Sequence, residues 1–199
     1  MNVYEAAIRR RSIRRYQDKP VPYDVLKKCV DTARLAPSAR NAQVCEYIIV
    51  DDGKLLPEVA VSITSWGGHP MNKENPRWLK QPKAYIVILV NSALEAKAGT
   101  SRIDTFCDSS MSAENIILTA QEEGLGSCVI LGYKKNVLKQ ALNIPEGYDT
   151  ALVIALGYPD DNPVAEVSTG SLDRWEDSEG NFHLPKRKLE DITHRNRFL

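Results

Sequence analysis

The chain has 199 residues, 43% hydrophobic and 26% charged, the balance of a globular protein that buries about 70% of its unfolded surface, which excludes wholesale disorder. Lys+Arg and Asp+Glu each number 26, for a net charge of zero, so no overall field draws the chain to nucleic acid or to a membrane surface. The longest apolar run, Ile86 to Val90, is too short to cross a bilayer and no signal peptide is read at the N-terminus, which points to the cytoplasm.

Residues Asn2 to Arg10 read as a short helix capped by Asn2, with a basic end that suits its C-terminus. Pro20 and Pro22 lead into a second helix, whose apolar positions Val25, Leu26, Cys29, Val30 and Ala33 keep the helical repeat until Pro37 stops it. Pro37 to Glu46 is a polar loop. Tyr47 to Val50, Ala84 to Val90 and Ala151 to Leu156 are apolar, β-branched runs that read as buried strands. Trp66 to Pro82, with Gly67, Gly68, Pro70, Pro76 and Pro82, reads as a surface loop or lid. Thr105 to Glu123 is long enough for a central helix, apolar at Met111, Ile116, Ile117, Leu118 and Ala120, which suits a core or a dimer interface. Gly124 ends it. A short strand at Ser127 to Leu131 and a short helix at Lys134 to Leu142 follow, and the tail from Asp160 onward reads as polar and irregular. Strands alternating with helices predict an α/β or α+β layered sandwich. No repeat or linker interrupts it, so 1–199 reads as one domain with a C-terminal arm over about 160–199.

Cys29, Cys45, Cys107 and Cys128 show neither CxxC spacing nor a nearby His. They read as small buried hydrophobes in a reducing compartment, and neither zinc nor thioredoxin-like chemistry is expected.

The densest chemical signal is Arg9-Arg10-Arg11-Ser12-Ile13-Arg14-Arg15, five arginines in seven residues of a chain with no net charge. Arg forks match phosphate oxygens and a Ser hydroxyl adds a donor, so Arg10, Ser12 and a neighbour suit a phosphomonoester. Three such contacts at roughly 1.5–3 kcal/mol each give roughly 5–9 kcal/mol before binding costs, the scale of a micromolar complex. The other reading is a solvated basic helix end. Lys186-Arg187-Lys188, after Pro185, carries the same two readings.

This opening resembles the arginine-serine signature of the nitroreductase family of flavoproteins, and the likeness runs from Tyr4 to about Thr193. The resemblance implies that Arg10, Arg11 and Ser12 surround the FMN phosphate and that Arg14 reaches the N1–C2 carbonyl edge of the ring, where a cation favours the reduced form. Pro37-Ser38-Ala39-Arg40-Asn41-Ala42-Gln43 is similar to the family's Pro-Ser-x-x-Asn-x-Gln loop. It implies flavin contacts across a dimer interface from Pro37, Ser38, Ala39, Asn41 and Gln43, the two amides serving ring heteroatoms. Read alone, this segment is a helix stop and a turn. Val44-Cys45-Glu46 departs from the family's Pro-Trp and polar residue, which bears on the substrate side, and Cys45 itself reads as buried filler.

Gly124-Leu125-Gly126-Ser127 and the strand after it, ending at Leu131-Gly132, resemble the family's Gly-Leu-Gly-Ser segment. The backbone N–H of Leu131 is then expected at flavin N5, flanked by Val129 and Gly132. Gly-x-Gly here is no Rossmann fingerprint, because the third glycine and the strand-to-helix turn are missing. A nicotinamide therefore has no dedicated site and stacks over the flavin. Lys186 and Lys188 resemble the C-terminal basic pair that closes over the phosphate.

Taken together, the resemblance implies a nitroreductase-like sandwich with a central mixed sheet flanked by helices, and a homodimer holding two FMN sites built from both chains. NAD(P)H delivers hydride to N5 and a nitroaromatic, quinone or similar small-molecule acceptor is reduced in a ping-pong scheme. No general acid is identified; His69, His183 and His194 read as surface or packing residues. Three alternatives remain: a flavin-binding or sensing protein with little turnover, another flavin-dependent reaction such as reductive dehalogenation on the same fold, and, weakest, a polyanion-binding module.

Overall fold

A computed structural model describes residues 1–66, 69–70 and 80–198, and divides the chain into two compact units, Met1–Asp160 and Asp161–Leu199. In the first unit, helix α1 (Val3–Arg9) opens with Asn2 as its cap, the side chain accepting from the Glu5 N–H at 2.8 Å. Helix α2 (Tyr23–Ala33) buries Leu26, Cys29 and Ala33 at the spacing read from the sequence. Strands β1 (Cys45–Val50), β4 (Ala84–Asn91), β5 (Gly126–Ile130) and β6 (Tyr148–Gly157) form a four-stranded sheet in the order β1-β4-β6-β5.

Both faces of this sheet are covered. On β4, Tyr85, Val87 and Leu89 enter one core with Ile13, Tyr16, Val59 and Leu138, while Ala84, Ile86 and Ile88 enter the other with Leu26, Cys29, Ile116 and Ala120. A strand buried on both sides reads as an unbroken apolar run, which is what 84–90 shows. Each Val, Leu or Ile among them contributes about 1.5–3 kcal/mol of burial.

The sheet was expected to be mixed, and in this it is corrected: β1 with β4, β4 with β6 and β5 with β6 all pair antiparallel. Its parallel contact is a single bridge, Ser12 to Ser127, on the outer side of β5. Helix α6 (Lys135–Ala141) between β5 and β6 suggests a parallel crossover, but it returns the chain to a neighbouring antiparallel strand.

Helix α5 (Arg102–Glu122) spans 21 residues from a Ser101–Asp104 capping box, and Gly124 closes it with a φ of 74°. Helices α3 (Leu55–Ser62) and α4 (Ser92–Ala98) were not read from the sequence. Each is two turns or less, with Pro57 inside the first turn of α3, so neither shows a full apolar repeat. In the expected lid, β2 (Ser65–Trp66) pairs with β3 (His69–Pro70), while 67–68 and 71–79 lie outside the described residues.

The second unit corrects the reading of an irregular tail. It holds a three-stranded sheet in the order β7-β9-β8, with β7 (Val164–Val167) parallel to β9 (Phe182–Lys186) and β8 (Trp175–Glu176) antiparallel to it. Strands of four, two and five residues carrying Glu, His and Pro are too short for alternation to show. Glu166 fastens the sheet, accepting from Trp175 Nε1 at 2.8 Å and lying 3.1 Å from His183 Nδ1, and His183 stacks on Trp175 at 3.8 Å.

Candidate functional site

The arginine cluster is held by the backbone rather than left on a free helix end. Arg10 caps α1, its N–H donating to Ala6 O at 2.8 Å, and the chain then runs beside β5, with the Ile13 N–H donating to Ser127 O at 2.9 Å. Ile13 and Tyr16 turn inward, and the Tyr16 hydroxyl donates to Ile13 O at 2.8 Å. Two glycines that face each other on the sheet, Gly126 on β5 and Gly157 on β6, make room for them. A Cβ on Gly126 would lie 2.5 Å from Ile13 and one on Gly157 2.7 Å from the Tyr16 ring.

With Ile13 and Tyr16 seated, Arg10, Arg11, Ser12 and Arg14 are half-exposed beside the strand. Arg11 Nη1 donates to Arg10 O and Arg14 Nη1 to Ser12 O at 3.2 Å. Burial, and then the neighbouring Arg10 charge, hold the Arg11 guanidinium below its usual value. An anion set between the two would offset that repulsion.

Along β5 from this point, Val129 and then Leu131 are exposed, Leu131 at 63%. Four residue steps lead from Ser127 to Leu131, about 13 Å at about 3.3 Å each. Gly132 is approached closely: the Thr64 N–H donates to its carbonyl at 2.9 Å, and a Cβ there would meet Thr64 Oγ1 at 3.0 Å. Leu131 lines a cavity of about 410 Å³ together with Val90, Phe106, Tyr133 and Thr150, a size suited to a small-molecule site. The Thr150 hydroxyl, 1% exposed, finds no hydrogen-bond partner among the described residues. The structure thus brings Arg10, Arg11, Ser12 and Arg14 to the strand that carries Val129 and leads to Leu131 and Gly132.

The second segment is a strained loop. Pro37, Asn41 and Gln43 are exposed and Ser38 and Ala39 half-buried, and Ala39–Asn41 make a single 3₁₀ turn. Arg40, Asn41 and Gln43 have φ of 55°, 53° and 49°, left-handed conformations costing a non-glycine residue about 1–2 kcal/mol, less for Asn. Such strain persists where surrounding contacts impose it. Here the Ser38 hydroxyl accepts the Gln43 N–H at 3.1 Å, Arg40 Nη1 donates to Ala98 O at 2.9 Å, and the Ala39 N–H reaches both carboxylate oxygens of Asp108 at 3.0 and 3.2 Å. Those bonds run within the loop, to the end of α4 and to α5.

Asp108 was not among the expected site residues. It is 2% exposed and belongs to a buried polar stripe on α5, Thr105, Asp108, Ser109 and Ser112, at i, i+3, i+4 and i+7. That spacing was readable as one helical face. Cys45 Sγ lies 3.6 Å from Ser109 Oγ, and burial pushes its thiol up, in keeping with filler. Lys186 ends β9 and Lys188 follows it, both exposed within the second unit. No group of three or more His, Cys, Asp or Glu among the described residues is arranged to hold a metal ion, and no helix among them is long and apolar enough to cross a membrane.

Apolar side chains are also exposed on two helices. Val3, Tyr4 and Ile8 of α1 and Ile103, Phe106 and Met111 of α5 are exposed, Tyr4 and Ile103 at 75% each, and α1 packs on α5. Apolar residues exposed along a helix face suit an interaction surface.

Comparison with known proteins places this geometry. Residues 7–158 match the model of the "Nitroreductase family". A Methanothermobacter thermautotrophicus protein, provisionally named as an NADH dehydrogenase/NAD(P)H nitroreductase, is 32% identical over 170 residues, 82% of this chain and 80% of its own. The crystal structure of an FMN-dependent nitroreductase from Clostridium difficile superposes with a TM-score of 0.68 at 28% identity, over 97% of this chain and 98% of that one. A Desulfovibrio desulfuricans protein solved in complex with FMN shares the fold, with a TM-score of 0.70 at 21% identity, over 100% of this chain and 99% of its own.

Proposed function

This chain belongs to the nitroreductase family, and from that premise we propose that it is a homodimeric, FMN-dependent oxidoreductase that passes electrons from NAD(P)H to a nitroaromatic, quinone or similar acceptor by a ping-pong mechanism. The observation that carries this reading is the attachment of the arginine cluster, through the Ser12–Ser127 bridge, to the strand leading to Leu131 and Gly132. When bound, FMN supplies the hydride acceptor and donor, so no ionisable catalytic side chain is required.

The protein's own residues bind and orient. Arg10, Arg11 and Ser12 hold the phosphate, the repulsion between the two guanidinium groups supplying part of the drive for an anion. Arg14 would serve the ring's carbonyl edge, and the Leu131 N–H would be the donor toward N5, with Val129 and Gly132 beside it. Lys186 and Lys188 carry exposed ammonium groups of the chemistry a phosphate takes. Ser38, whose oxygen is occupied by the Gln43 N–H, keeps its own proton to donate. Pro37, Ala39, Asn41 and Gln43 complete a surface whose hydrogen bonds stay with α4 and α5, which suits contact with the flavin of a second copy. The apolar faces of α1 and α5 supply the means of pairing.

The glycines that suggest a dinucleotide site have other duties here, Gly124 closing α5 and Gly126 admitting Ile13. This supports a nicotinamide that takes turns with the acceptor at one cavity. The four cysteines are free, as suits a reducing, cytoplasmic setting.

The test is the visible spectrum of purified protein with FMN and then NAD(P)H. A bound two-banded flavin spectrum that bleaches, and returns when a quinone or nitro compound is added, is the expected result. Flavin that binds but never bleaches would leave a sensing protein, and no binding at all would dismiss the site.

A further inference from the structure

We infer that Asp108 is a positioning residue, which fixes the strained Pro37–Gln43 loop in the conformation that presents Ser38, Asn41 and Gln43 to the ligand. The inference rests on the reading of that loop as a flavin-binding segment. Three of its residues, Arg40, Asn41 and Gln43, hold left-handed φ angles that an unsupported loop would not keep. The backbone bonds of its turn and the Ser38–Gln43 bond are internal to the loop, and the Arg40–Ala98 bond is made at the surface. Among the described residues, the Ala39 bond to Asp108 is the hydrogen bond that ties the loop to the buried face of α5.

A carboxylate 2% exposed is a costly group to place there for one backbone donor, since a buried charge costs more than a neutral acceptor doing the same work. Nor does packing require it, because a hydrophobic residue would fill the space on α5 without loss of solvation. The geometry favours an acceptor whose two oxygens hold the Ala39 N–H between them, fixing the turn immediately before the left-handed residues. In this role Asp108 acts through the backbone of Ala39.

Asp108→Ala and Asp108→Asn separate this role from a structural one. In Asp108→Ala the Ala39 N–H loses its acceptor, so the expected result is FMN binding weakened about tenfold or more. Amide exchange at Ala39 and Gln43 should accelerate, while the thermal midpoint of the flavin-free protein stays level or rises. Asp108→Asn keeps one acceptor oxygen and should return FMN affinity to within about threefold of the parent. Parent-like exchange at Ala39 in Asp108→Ala would overturn the inference, as would an Asn variant as impaired in FMN binding as the Ala one. Should the parent protein bind no FMN, the flavin reading fails alone, and exchange at Ala39 and Gln43 still decides whether Asp108 positions the loop.

Discussion

Arg10 and Arg11 stand side by side at half-buried positions, and the lowered Arg11 value reports burial first and the adjacent charge second. A bound phosphate offsets both costs, so Arg10→Ala should weaken FMN binding by about 10- to 100-fold, the worth of one charge-assisted bond at roughly 1.5–3 kcal/mol. Far-UV circular dichroism should stay unchanged, and titration of the apoprotein monitored by flavin fluorescence checks the loss. Cys29 carries a second prediction: burial first, then the nearby Glu123 charge, push its thiol from about 9.0 up to about 12. A group raised in the folded state contributes its full stability below the unfolded value and loses it as pH rises through the folded one. Urea stability should therefore fall between pH 9 and about 12, by about 1.4 kcal/mol per pH unit from this group, with a shallower slope in Cys29→Ala. At this scale the sequence was legible where charge accumulates against a neutral background, as at Arg9 to Arg15. It was opaque at Asp108, because a lone acidic residue on a helix shows its burial only once α5 and the loop are packed together.

Among the elements, the paired glycines on β5 and β6 explain why a flexible-looking arginine segment has a fixed path. Gly126→Ala would drive a methyl group to 2.5 Å from the Ile13 side chain, so Ile13 must leave its slot and the Ser12–Ser127 bridge must open. We expect reduced thermal stability, by about 1–3 kcal/mol as for an overpacked core, together with loss of FMN affinity at a position no ligand touches. An Ala variant with the parent's affinity would show that the slot does not aim the arginines. The reach of the sequence at this scale follows from length and burial. Strand β4, buried on both faces, and α5, long enough for its repeat, were read near their observed limits, while of β6 only the apolar centre was read and α2 ends at Ala33, short of Pro37. Helices α3 and α4, and the strands of the second unit, offered too few residues for a period. The antiparallel pairing of the central sheet was beyond reach, since a helix between two strands does not state the direction in which the second returns.

The whole molecule raises the question of what the exposed apolar faces of α1 and α5 meet. A single chain of 22.3 kDa that leaves Tyr4 and Ile103 each 75% exposed gains about 25 cal/mol for each Å² of such surface removed from water, and a second copy offers the same two helix faces, as twofold pairing requires. The Pro37–Gln43 loop adds a chemical reason for pairing. Ala39 and Arg40 fix it to α5 and α4 while the arginine cluster is fixed to β5, and in the proposed dimer the loop of one chain would meet the cluster of the other. Sedimentation should accordingly give twice the chain mass. Replacing Tyr4 and Ile103 together by Glu places two like charges at each partner's copy of these faces and should yield a monomer. FMN affinity should fall in that variant at least as far as in Arg10→Ala, even though every residue proposed to touch the flavin is unchanged. A folded monomer that binds FMN with the parent's affinity would mean that one chain suffices for the site, and the loop would then need a different ligand.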